Sequence, residues 1–283
     1  MEFNNPFLKE GKWFKGNAHI HTTNSDGKLS PEEIVEIYRE NFYNFLFITD
    51  HNKITDYQSP YEDFLVIKGA EYSKNGFHIL GLGLKENFNT ENLSPQEIIN
   101  KINELDGFVV VCHPYWSGIT SMDILSLTGF TGIEIFNNSC EIEKGKGYST
   151  VHYDEVLQKG MKVSGFAVDD SHSKKDIIGS FIMVKAKSLD TEEICASIKD
   201  GFFYSSTGVI INDLKFKDDI IRISFTPSIT VDFIGYGASG TRVYNNGREF
   251  DYAEYRIKGP EKYIRIEITD KENKKAWVNP FFL

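Results

Sequence analysis

Up to about residue 208, short apolar runs alternate with stretches of helical periodicity. The runs are AHIH (18–21), NFLFITD (44–50), FLVIKGAE (64–71), HILGLGL (78–84), GFVVVCHP (107–114), GIEIFNN (132–138), KVSGFAVDD (162–170) and GSFIMVKA (179–186). Helix starts are marked between several of them. Ser30-Pro31-Glu32-Glu33 is a capping box with proline in the first turn, and Ser94-Pro95-Gln96-Glu97 repeats it. Behind these, Ile34, Ile37 and Tyr38, and then Ile98, Ile99, Ile102 and Leu105, recur at helical spacing. A third helix is expected from Asp190 to a stop at Gly201. Strands alternating with helices predict βα units and a mainly parallel sheet, with enough units for a barrel.

From residue 209 to 283 the texture changes to short alternating strands: IIRISF, ITVDFIGYG, TRVYNN, YAEYRIKG, KYIRIEITD and AWVNPFFL. Asn246-Gly247 and Gly259-Pro260 separate some of them, and no helical period appears. The expected architecture is therefore an α/β unit over 1–208 followed by a small antiparallel β-sandwich over 209–283. The segment CEIEKGKGYST (140–150) reads as a flexible polar rim.

Composition narrows the function. The formal charge of −10 argues against a stable nucleic-acid complex, because phosphate backbones are bound by basic surfaces. No apolar run is long enough to span a membrane, and the N-terminal residues lack a basic-then-apolar leader pattern. Three scattered cysteines without a CxxC pattern fit a reducing, cytoplasmic setting. Arg39 is the only arginine before residue 222, so anion recognition in the first unit falls to metals, lysines and backbone amides.

The chemistry-bearing residues sit at the ends of the runs. In an extended segment His19 and His21 point the same way while Ile20 points oppositely. Asp50 and His51, Glu71, His113, and Asp169, Asp170 and His172 follow the C-terminal ends of their runs, where a βα barrel builds its site. His78 begins its run instead, so that strand is expected to run antiparallel or to lie at the rim. Any one of these histidines reads most simply as a satisfied or surface imidazole. As a set with Asp26, Glu71 and Asp170, and with no coordinating cysteine, they match catalytic zinc, manganese or iron rather than structural zinc. Cys112 is expected in the core, on the face opposite His113, and His152 is expected to be structural or on the surface.

The series H-x-H, SDG, TDHN, GxE, H, CHP, DDxH over residues 17–208 resembles the PHP (polymerase and histidinol phosphatase) metal-dependent hydrolases. SDGKLSPEEIVE and ITDHN resemble the branch that holds short nucleotide phosphoesterases. The C-terminal β region resembles a subgroup with carbamate-hydrolysing members. The resemblance implies a distorted (β/α)7 barrel with two or three divalent ions. His19, His21, Glu71 and Asp170 would hold the first ion. Glu71 would bridge to a second, held also by His78 and His113, and Asp26, His51 and His172 would hold a third. A water shared by two such ions is turned towards hydroxide and attacks phosphorus or a carbonyl carbon. Asp50 and Asp169 are expected to accept from the ligand imidazoles and fix their tautomers.

For substrate, Asn137, Lys144, Lys146 and Lys174 are the candidate contacts, with Asn138 and Lys175 beside them; solvated lysines are the plain alternative. Tyr115 and Trp116 would stack on a ring or pack into the core. The expected reaction is hydrolysis of a small phosphorylated molecule or nucleotide. Carbamate, ester or amide hydrolysis at the same site is the alternative, and a noncatalytic binding module a third reading. Oligomeric state is not readable.

Overall fold

The computed structural model describes residues 3–283, so the first two positions of the expected 1–208 unit lie outside it. The first part of the chain gives β1 (Lys12–Asn17), α1 (Pro31–Glu40), β2 (Phe45–Ile48), β3 (Leu65–Lys74), β4 (Phe77–Leu82), α2 (Pro95–Glu104) and β5 (Phe108–Val111). It continues with α3 (Pro114–Ser117), α4 (Ser121–Leu125), β6 (Gly132–Asn137), α5 (Asn138–Lys144), α6 (Thr150–Gln158), β7 (Ser164–Val168), β8 (Phe181–Ala186), α7 (Thr191–Lys199) and β9 (Phe203–Ser206). Both serine capping boxes are formed, and Asp190 caps α7 by accepting from the Glu193 amide. One expectation fails locally: residues 138–144 are helix α5 rather than a flexible rim, because Asn137 caps it by accepting from the Cys140 amide.

The remainder is β10 (Ile211–Lys217), β11 (Ile220–Ser228), β12 (Thr230–Gly235), β13 (Gly240–Tyr244), β14 (Phe250–Arg256), β15 (Tyr263–Thr269) and β16 (Lys275–Phe282). A thirteen-stranded sheet runs β13-β12-β15-β16-β9-β8-β1-β2-β3-β4-β5-β6-β7, and a separate sheet runs β10-β11-β14. The smaller sheet faces β12, β15 and β16 across a core that includes Leu214, Ile223, Phe225, Phe233, Ile266 and Val278. These are two antiparallel layers, as expected. However, the outer layer is continuous with the large sheet, because β16 pairs with β9.

The large sheet is mixed. β1/β2, β2/β3, β5/β6 and β6/β7 are parallel, whereas β4 is antiparallel to both neighbours. Asn75 and Gly76, both at positive φ, make the tight turn that folds β4 back on β3. This brings His78, at the start of β4, opposite Ser73 and beside Glu71.

The sheet curls, gathering Phe47 of β2, Leu82 of β4, Val110 of β5, Val168 of β7 and Ile182 of β8 into one inner cluster. The outer faces of β5 and β6 pack Val109, Val111, Ile133 and Ile135 against Ile98, Ile99 and Ile102 of α2. No ladder joins β7 back to β1; their extensions meet at one parallel bridge, Ile20 with Ser171. There the His21 amide donates to Ser171 O at 3.0 Å and the Asp170 amide to His19 O at 2.9 Å. In place of the expected closed barrel, the sheet curls so that its end strand β7 comes back to the extension of the interior strand β1 at the histidine-bearing edge. Among the described residues, no helix is long and apolar enough to cross a membrane.

Candidate metal centre

β1 ends at Asn17, a bend follows at Ala18, and residues 19–21 run into the junction with the end of β7 at the Ile20–Ser171 bridge. This sets His19 and His21 on one side, with their Nε2 atoms 3.0 Å apart. Glu71 Oε2 lies 3.3 Å from His19 Nε2 and 3.1 Å from His21 Nε2. Asp170 Oδ1 lies 3.2 Å from each of the same nitrogens. An ion with ligands at 2.0–2.1 Å in a tetrahedron separates them by roughly 3.3 Å, from the bond lengths of zinc sites. Five of the six edges of such a tetrahedron are therefore present in the side chains alone.

Two further donor groups adjoin this one. Glu71 turns its other oxygen, Oε1, to His78 Nδ1 at 2.6 Å and His113 Nε2 at 3.5 Å. Asp26 Oδ2 lies 3.4 Å from both His51 Nε2 and His172 Nε2, and Asp26 Oδ1 lies 3.7 Å from His21 Nδ1. The first group is buried, while Asp26, His51 and His172 stand at the mouth, their side chains 53%, 28% and 30% exposed. All nine residues implied by the sequence resemblance are brought together in these three groups.

The buried carboxylates and imidazoles act strongly on one another. Burial alone would raise Glu71 and Asp170, yet the facing histidines hold both below the ordinary carboxylate range, Glu71 well below it. Burial would lower His19, but Asp170, Glu134 and Glu71 raise it well above an ordinary imidazole. His21 is pushed up to about 9 against burial by Asp170 and Glu71. Two buried atoms, His21 Nδ1 and Asp170 Oδ1, have no hydrogen-bond partner. Unpaired buried donors and acceptors are expensive, so their presence among carboxylates and imidazoles fits a set of metal-ligand atoms.

The backbone carries strain in the same place. His113 at φ 25° and Asp170 at φ 54° are left-handed non-glycine residues, a conformation that costs about 1–3 kcal/mol each and gathers at functional sites. Cys112 is buried in the core as expected: Phe108, Val110 and Cys112 alternate into the inner cluster, and Cys112 lies beneath the centre, grouped with His19 and Glu134. The left-handed turn comes one residue later, so His113 also faces the centre instead of the opposite side.

The residue that sequence reading missed is Glu134. Fully buried on β6, it accepts from His19 Nδ1 at 2.6 Å, from the His113 amide at 2.8 Å and from Asn137 Nδ2 at 2.9 Å. Its only signal is a lone acid inside the apolar run GIEIF. It performs the tautomer-fixing expected of Asp50 and Asp169, neither of which reaches an imidazole. Asp50 instead accepts from the Thr22 amide and hydroxyl, Ser25 Oγ and Thr55 Oγ1, holding the loop that carries Asp26. Burial would raise Asp50, but these donors outweigh it and hold it low. Asp169 accepts from Tyr38 Oη at 2.6 Å, the Ile178 and Ser180 amides and Ser180 Oγ, pinning the segment that carries His172. Burial pushes it up to about 6 despite those donors.

A cleft of about 300 Å³ opens over the ligands, lined also by Lys28, Trp116, Ser139, Cys140, Glu143, Ser173 and Asp176. The expected substrate contacts do not line it. Asn137 is buried, donating to Glu134 and to Asp170 Oδ2, and Asn138 donates to Asp176 O. Lys144, Lys174 and Lys175 are exposed away from the cleft, and Lys146 lies over the Tyr115 ring. These lysines follow their strand ends in sequence, but α5 and the turn after His172 carry them outward. Tyr115 is exposed and Trp116 half-exposed; neither is core. His152 Nε2 donates to Ile119 O and is structural.

No family profile matches the chain. It is 29% identical over 140 residues to an uncharacterized protein of Methanocaldococcus jannaschii, a match covering 44% of this chain and 81% of that one. A solved two-domain protein of Bacteroides vulgatus, named as containing a predicted PHP-like metal-dependent phosphoesterase, covers 100% of this chain and 98% of its own. Its TM-score is 0.58 at 14% identity. An amidohydrolase of Chromobacterium violaceum, solved with sulfate and no metal, covers 57% of this chain and 89% of its own, with a TM-score of 0.41 at 14% identity. The fold is that of the two-domain PHP-like protein, in keeping with the sequence resemblance.

Proposed function

We propose that a chain with this fold and this donor set is a metal-dependent hydrolase of small phosphoesters, working with two or three divalent ions of zinc, manganese or iron. One observation carries the reading: Glu71 gives one oxygen to each of two adjoining histidine groups, the arrangement a bridging carboxylate requires. His19, His21, Glu71 and Asp170 would hold one ion; Glu71, His78 and His113 a second; and Asp26, His51 and His172, with His21 Nδ1 facing them, a third. Bound ions of this kind acidify water and stabilise charge that develops on phosphoryl and leaving oxygens.

The chain's own residues prepare the centre. Glu134 holds the His19 proton on Nδ1 and leaves Nε2 as the donor atom. Asp170 O does the same for His172, accepting from Nδ1 at 2.8 Å. Ser117 Oγ meets His113 Nδ1 at 3.0 Å, which leaves Nε2 facing Glu71. Burial keeps bulk water from the inner group, and the mouth group meets substrate.

The cleft volume fits a small molecule rather than a polymer, and the net charge of −10 argues against a stable nucleic-acid complex. Residues 1–208 would form the hydrolase unit and 209–283 an appended β unit, acting in a reducing compartment where Cys112, Cys140 and Cys195 stay free. A carbamate, ester or amide substrate is the second reading, favoured by one fact: among the described residues, Lys28 is the only lysine or arginine lining the cleft. Assays of the metal-loaded protein on phosphomonoesters, phosphodiesters and aryl carbamates separate the two. Turnover confined to the carbamates would replace the first reading with the second. Elemental analysis showing no transition metal would remove both.

A further inference from the structure

We propose that Lys28 and Trp116 are the specificity-determining residues of the cleft: Lys28 receives the anionic phosphoryl group, and Trp116 carries a planar ring on the leaving group. The inference rests on the phosphoesterase reading and names the class of phosphomonoester, aryl or heteroaryl rather than alkyl.

Lys28 is placed by backbone. Its amide donates to His172 O at 2.8 Å, and the preceding Gly27 amide donates to Thr22 O at 3.0 Å. A Cβ on Gly27 would stand 2.5 Å from His21 O, so the chain passes against the ligand strand with no room to shift. The Lys28 side chain has no hydrogen bond or ion pair among the described residues, although Asp26, Glu143 and Asp176 line the same cleft. An unpaired ammonium among carboxylates is available to a ligand. Arg39, the alternative in this part of the chain, is held bidentate by Asp63. With the ions offsetting the carboxylates, Lys28 is the remaining group that rewards an anion.

Trp116 stands at the other end of the row of donor groups. Its ring centroid lies 4.9 Å from that of His113 and 5.7 Å from that of His78, at interplanar angles of 74° and 83°. The two imidazoles buttress the indole, which is still 39% exposed. Indole that is fixed and left open in a binding cleft offers a planar platform. Lys28 beside His172 and Trp116 beside His78 and His113 therefore stand at opposite sides of the donor groups, and a substrate that uses both carries charge at one end and a ring at the other.

The test uses metal-loaded wild type, Lys28→Gln, Lys28→Arg, Trp116→Leu and Trp116→Phe, each checked for metal content. In calorimetry with inorganic phosphate, Lys28→Gln should weaken binding on the order of tenfold and Lys28→Arg should recover part of it. The kcat/KM ratio of 4-nitrophenyl phosphate to glycerol 2-phosphate should fall about tenfold in Trp116→Leu and far less in Trp116→Phe. Nitrophenyl phosphate should also quench indole emission in wild type but not in Trp116→Phe, which answers the question even if Trp116→Leu does not fold. Unchanged phosphate affinity in fully loaded Lys28→Gln overturns the role of Lys28. An unchanged substrate ratio with no Trp116-dependent quenching overturns that of Trp116. A variant that loses its ions overturns its assignment too, making the residue a support for ligands. Wild type that neither binds phosphate nor cleaves either ester overturns the phosphoesterase reading itself.

Discussion

Glu134 and His19, 115 residues apart in the chain and both fully buried, share a 2.6 Å hydrogen bond that joins β6 to the strand extension carrying two metal-ligand candidates. The carboxylate sits beneath the centre and sets which nitrogen of His19 faces the other ligands. Such supporting partners typically govern metal affinity by 10–100-fold.

Glu134→Gln should therefore weaken metal binding by roughly that 10–100-fold range while leaving the fold intact, since the amide keeps the volume and can still accept from the His113 amide. Chelator competition on the purified variant reads the change directly. Affinity equal to wild type would mean that the His19 tautomer is fixed by something other than Glu134.

Glu71→Ala is expected to cost at least one ion and to abolish hydrolysis, because both oxygens are used, one towards each inner group. Chelation of the wild type should act in the same direction and lower Tm, since a ligand bound only to the native state stabilises it. Asp26→Ala should remove at most the ion at the mouth, its side chain being 53% exposed. Metal stoichiometry in the two variants decides the issue: equal losses would mean that the three groups act as one site.

What was legible in the sequence follows from the range of the interactions. Ser30 and Glu33, or Ser94 and Glu97, satisfy each other within one helical turn, so the capping boxes are visible in a short window. The nine ligand candidates were reached through motif resemblance, and their common orientation followed where the backbone is extended, as at His19 and His21. Alternation placed Cys112 in the core and failed one residue later, at the left-handed His113, whose imidazole reaches the centre as well. Asp50, Asp169 and Glu134 look equivalent as strand carboxylates. Which one meets an imidazole depends on partners remote in sequence: Glu134 meets His19 across 115 residues, and Asp169 meets Tyr38 across 131. The continuity of β16 with β9 is nonlocal in the same way.

Tyr38→Phe tests the role reassigned to Asp169. The hydroxyl is one of four donors to that buried carboxylate, and losing it should destabilise the protein by about 1–3 kcal/mol in denaturant unfolding. Because α1 then loses its tie to the segment carrying His172, occupancy at the mouth should fall before that of the inner group. No change in stability would mean that water replaces the phenol without cost.

Arg265 links β15 to α6 through a bidentate contact with Asp154, with its Nη2 2.7 Å from Asp154 Oδ2, and its Nη1 lies 3.3 Å from Glu267. The guanidinium side chain is 3% exposed. Arg265→Met leaves Asp154 without its guanidinium and Glu267 with Lys275 alone, and breaking a buried pair from one side costs about 3–5 kcal/mol. The linked pH dependence has a definite sign. Burial would raise Glu267, but Lys275 and Arg265 outweigh it and hold the group below the ordinary carboxylate range. A carboxyl lowered by folding binds fewer protons in the native state than in the unfolded one. Its stabilisation is complete above the unfolded value and is lost as pH falls through the lower folded value. Glu267→Gln should therefore flatten the acid limb of a Tm-against-pH curve and leave the slope near neutrality unchanged. An acid limb identical to wild type would show that Glu267 contributes nothing to the acid sensitivity of this junction.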